Sequence, residues 1–126
     1  MDTQELLTEL HTEHNRWQAK IKNYKDELKR WDEQLLNMVP RLQSDQQSRS
    51  LERFQNQIII QNEVLDIMRH DFKQYENEIE FIQNHKVDKT EDGINSLHDH
   101  EEDKLLSFEH NFDNLRKDFK LFTGAK

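Results

Sequence analysis

Residues Leu7–Met38 read LTELHTEHNRWQAKIKNYKDELKRWDEQLLNM. Within them Leu7, Leu10, His14, Trp17, Ile21, Tyr24, Leu28, Trp31, Leu35 and Met38 recur in steps that alternate three and four. Unbroken alternation over such a length predicts one long helix packed along a single seam. Asp2 and Glu5 have the spacing of an N-terminal capping box, and Pro40 disfavours helical geometry at Val39. The first helix is therefore expected over about residues 3–39.

The same rhythm returns in Leu51, Phe54, Ile58, Gln61, Leu65, Met68, Phe72, Tyr75, Ile79 and Ile82, with Ser44 and Gln47 placed to cap it. That predicts a second helix over about 45–86. Ile60, Val64 and Ile67 widen its apolar face, as expected of a middle helix touching two neighbours. An acidic stretch from Val87 to Gly93 is read as a turn. Ile94, His98, Glu101, Leu105, Phe108, Phe112, Leu115, Phe119 and Phe122 then restore the alternation. The third helix is expected over about 91–123, capped by Asp88 or Thr90 and ended at Gly124, with a stutter through Leu97 as an alternative starting register. Short connections make sequential helices antiparallel neighbours. Residues 1–126 are thus expected to form one all-α domain, an elongated antiparallel up-down-up three-helix bundle with coiled-coil-like heptad packing. In architecture this resembles spectrin-type repeats, which also have three long helices and a seam tryptophan in the first. The resemblance implies the fold and no function.

Composition narrows the function classes. The chain of 126 residues is 33% hydrophobic and 35% charged, a balance suited to slender helices burying one stripe each. Two glycines cannot build a phosphate-binding loop, and without cysteine there is no disulfide, thiolate zinc site or cysteine nucleophile. A net charge of −8 argues against nucleic acid as a partner. The longest apolar run, Ile58-Ile59-Ile60, is far short of a membrane span. With an acidic, polar start at Met1–Glu5, a cytoplasmic protein is expected. No cofactor and no enzymatic activity are expected.

Three polar residues occupy seam positions near one end. A second turn centred near residue 90 sets His14 level with Tyr75 and Leu105, Glu101 beside Leu10 and Ile79, and His98 beside Leu7 and Ile82. The bland account is a wet end layer in which His14 meets Glu101 or Tyr75. The functional alternative is a bundle-core metal site formed by His14, His98 and Glu101, with His11 or Glu102 nearby. His98 and Glu102 stand one helical turn apart, but no Glu-x-x-His motif supports a diiron site. Gln61, set opposite Leu28 and Phe119, reads as a lone polar core residue specifying register.

The same register stops the third helix level with Trp31 and Ile58. Leu35, Met38, Leu51 and Phe54 would then line an open apolar groove rimmed by Arg41, Arg49 and Arg53. These four side chains are the candidate partner-binding residues. A helical interaction or structural module is the expected function class, binding a protein partner or a second copy of itself, with a homodimer among the expected assemblies.

Overall fold

The computed structural model describes residues 3–85 and 91–124, with side chains from residue 5 in the first helix and residue 93 in the third. Helix α1 spans Thr3–Met38, α2 spans Asp45–His85 and α3 spans Glu91–Thr123. A single 3₁₀ turn, Val39–Arg41, lies between α1 and α2. The expected all-α three-helix bundle is the observed fold, with α2 packed against both α1 and α3.

Local signals account for the helix ends. Pro40 falls in the 3₁₀ turn, where its ring ends α1. Ser44 Oγ accepts the Gln47 backbone N–H at 3.1 Å, while Gln47 Oε1 accepts the Gln43 N–H at 2.7 Å. Both halves of a capping box are present, with the return bond shifted by one residue. Gly124 closes α3 at φ 71°, the left-handed geometry glycine adopts without strain. The proposed caps Asp2, Asp88 and Thr90 lie outside the described residues.

The three seams close into one core. Leu28, Leu35, Leu65, Phe72 and Phe112 are fully buried, and each such side chain contributes about 1.5–3 kcal/mol of transfer free energy. Trp31 stacks on Phe112 and Phe119 with ring centroids 5.0 and 4.4 Å apart, and Phe54 meets Phe119 and Phe122. The polar residues do not form the fraying end layer. Leu6, Leu7 and Leu10 precede His14 on α1 and Ile79 and Ile82 follow Tyr75 on α2, all of them buried. The polar layer is inset between apolar ones.

Register separates what the heptads predict from what is observed. The α1–α2 pairing falls as expected, with His14 bonded to Glu76 one residue from Tyr75. Helix α3, however, lies about one helical turn closer to the 3₁₀ turn. His98, expected beside Leu7 and Ile82, instead packs on Trp17 and Tyr75. The helix bounds fall where expected, with α2 ending at His85 and α3 beginning at Glu91, so their midpoint lies near residue 88 rather than 90 and α3 pairs further along both partners.

That advance overturns the open groove. Leu35, Leu51 and Phe54 are buried, Met38 is half-buried, and Phe122 covers Phe54 at 5.2 Å. Two further expectations fail because of where side chains on α2 face. Ile60, Val64 and Ile67 are not covered by a neighbouring helix but stand exposed at 45%, 36% and 62%. Gln61 is half-buried rather than core, bonded to Gln57 of its own helix.

Candidate functional site

The inset polar layer is two separate networks, one on each side of Trp17. On the α1–α2 side, His14 is buried, with Nε2 3.0 Å from Glu76 Oε2 and 3.4 Å from Gln18 Nε2. His11 Nδ1 approaches Glu76 at 3.7 Å. His14 Nδ1 is buried without a hydrogen-bond partner. Burial therefore lowers the His14 pKa below its ordinary value, the nearby Glu76 carboxylate opposing that shift only in part.

On the α1–α3 side, Trp17 stacks on the His98 ring at 5.1 Å and 22°. His98 Nδ1 stands 3.5 Å from the Tyr75 hydroxyl, and Nε2 faces Glu13 Oε2 at 3.3 Å and Glu102 Oε2 at 3.6 Å. The His98 side chain is 12% exposed and the two carboxylates about one-third exposed, so the group opens from the core to the surface. Ligand atoms of Glu13, His98 and Glu102 all lie within 4.8 Å of one another. Burial raises the Tyr75 pKa, and Glu13, Glu101, Asp99 and Glu78 raise it further, so the phenol stays neutral in an anionic neighbourhood.

Glu101 belongs to neither network. Both its oxygens bond Lys104 Nζ, at 3.1 and 3.3 Å, and Lys104 also reaches Asp71 of α2 at 3.2 Å. The set His14, His98 and Glu101 is therefore not brought together. His14 pairs with Glu76, Glu101 pairs with Lys104, and only His98 joins a candidate ligand cluster. Glu13 is the residue that sequence reasoning missed. It lies off the seam, and only the true α1–α3 register carries it to His98. The His98–Glu102 spacing was legible, since residues four apart on a helix are neighbours.

A second feature lies on α2. Ile60, Val64 and Ile67 follow one another at helical-turn spacing along an exposed line. Val64 and Ile67 border an open groove of about 460 Å³ between α2 and α3, floored by Met68 and Phe108 and ended by Asp71 and Lys104. No helix among the described residues is long and apolar enough to cross a membrane. Comparison of the chain with protein-family models, with curated proteins and with solved structures finds no match.

Proposed function

We propose that the chain is a non-catalytic helical interaction module that receives an amphipathic helix of a partner protein on the α2 face formed by Ile60, Val64 and Ile67. The observation that carries this reading is the exposed apolar row itself. Three turns of a charged, solvated helix present large aliphatic side chains to water, beside a groove with an apolar floor. Contiguous exposed apolar surface of this kind commonly marks a contact, and the spacing suits helix-in-groove recognition. Among the described residues the concavities are open grooves between helices, a shape suited to reading a surface rather than enclosing a substrate.

A photo-crosslinking residue at Ile67, compared with one at the exposed Asn77, tests this in cells. A discrete adduct at position 67, absent at 77 and lost on Ile60→Glu, is expected, and its mass identifies the partner. An adduct with a second copy of the chain would replace the heterologous partner by self-association. Equal adducts at both positions, with monomeric protein by sedimentation, would overturn the reading.

A further inference from the structure

Glu13, His98 and Glu102 join α1 to α3 through groups that share no hydrogen. The two Nε2-to-carboxylate separations, 3.3 and 3.6 Å, exceed the ~2.7–2.9 Å of a charge-assisted hydrogen bond. They match another quantity. Ligands about 2.1 Å from a tetrahedral zinc ion stand ~3.4 Å from one another. We propose that Glu13, His98 and Glu102 are three ligands of a divalent metal ion of the zinc class, which clips the first helix to the third.

The surroundings supply what such a site needs beyond its ligands. A metal-binding imidazole almost always carries its proton on the other nitrogen and gives it to a fixed acceptor. With Nε2 on the metal, His98 Nδ1–H would point to the Tyr75 hydroxyl oxygen, already 3.5 Å away. The Trp17 face fixes the ring plane, and Trp17 itself is buried on Phe72 and Tyr75. Lys104 of α3 is held by Glu101 and Asp71 rather than by either ligand carboxylate. One neutral imidazole and two carboxylates neutralise a bound divalent ion, with a fourth position for water. Imidazole and carboxylate together suit zinc better than calcium, which takes oxygen ligands alone. The site is independent of the α2 face, and its test does not involve a partner.

Full-length protein stripped with chelator is titrated with Zn²⁺ by calorimetry, and with Co²⁺ to read coordination from the visible spectrum. One equivalent should bind, with the intense absorption of low-coordinate cobalt. Glu13→Gln and Glu102→Gln should each weaken binding at least about 10-fold and His98→Gln should abolish it, while Tyr75→Phe should weaken it about 10-fold. Glu76→Gln should leave it unchanged. Because Glu13 and Glu102 are partly solvated, their glutamine variants keep the fold, which circular dichroism checks. Binding that survives both glutamine changes, that is lost in Glu76→Gln instead, or that is no tighter than millimolar overturns the site.

Discussion

Trp17 and Trp31 stand two heptads apart in the same seam of α1, and both are buried, yet their surroundings differ. Trp31 stacks between Phe112 and Phe119 of α3, within 19° and 12° of parallel. Trp17 meets Phe72 and Tyr75 of α2, but from α3 it receives His98. An identical heptad position therefore serves a dry aromatic stack in one half and a polar layer in the other. What differs is which stretch of α3 arrives opposite. The seam of the aromatic half gains from dispersion and burial, whereas the polar half carries the cost of any buried group left without a partner, as at His14 Nδ1.

The sharpest way to break this comparison is to open each half in turn. Phe112 is fully buried between Trp31, Tyr24 and Phe108. Phe112→Ala should cost about 3–5 kcal/mol in urea unfolding followed by circular dichroism, through lost transfer energy and the cavity left behind. A loss under 1 kcal/mol would mean that the aromatic half is not the stable one.

The polar half should respond to pH where the aromatic half does not. His14 has a pKa lowered by burial, against the raising effect of Glu76, with His11 and Lys73 lowering it further. The unfolded chain then binds a proton on this residue that the folded chain resists. The stability that neutral His14 contributes is present above the ordinary histidine value of 6.5 and is lost as pH falls from there through the lower folded value. His14→Met removes that titration and should flatten the stability profile between about pH 7 and 5 relative to wild type. An unchanged difference between the two proteins across that range would exclude His14 as the group responsible.

The same contrast explains how much was legible in advance. Alternating steps of three and four identified all three helices, because burial of one stripe is a period-3.6 signal written on each helix separately. Ser44, Gln47, Pro40 and Gly124 marked ends through backbone chemistry, which is equally local. Register between helices is not local. A shift of a few residues in the pairing of α3 moved His98 from Leu7 to Trp17 and let Phe122 close over Phe54, while His14 and Glu101 part because one bonds Glu76 and the other Lys104. The misplacement of His98 and of the groove residues traces to that one displacement. The exposure of Ile60, Val64 and Ile67 was unreadable for a different reason, since an aliphatic side chain looks the same whether a neighbour covers it or not.

A smaller effect probes how the α1–α3 register is held in the aromatic half. Arg116 forks onto Glu27, with Nε 2.7 Å from Oε2 and the second nitrogen 2.8 Å from Oε1, while its guanidinium lies 5.0 Å from the Phe112 ring centroid. Glu27 holds the Arg116 pKa above its already high value. Lysine keeps the charge but loses the fork and the flat contact with the ring. Arg116→Lys should cost about 1 kcal/mol in the same urea assay, as both partners are only partly shielded from water. A Glu27→Gln, Arg116→Lys double variant should lose less than the two single losses combined.

The smallest expected effect carries the most about function. Ile67 is 62% exposed and Ile60 45% exposed, so replacing them by glutamate removes little buried area from the bundle. Surface changes of this kind stay within about 0.5 kcal/mol. The new carboxylate at position 67 would share the groove with Lys104. Stability of an Ile60→Glu, Ile67→Glu variant should therefore match wild type in urea unfolding, in contrast to Phe112→Ala. This near-silence makes the variant a clean reporter, because any lost association then arises from the face itself. If instead the variant unfolds several kcal/mol more easily, these isoleucines belong to the core of the folded chain, and the α2 row is not a surface for a partner at all.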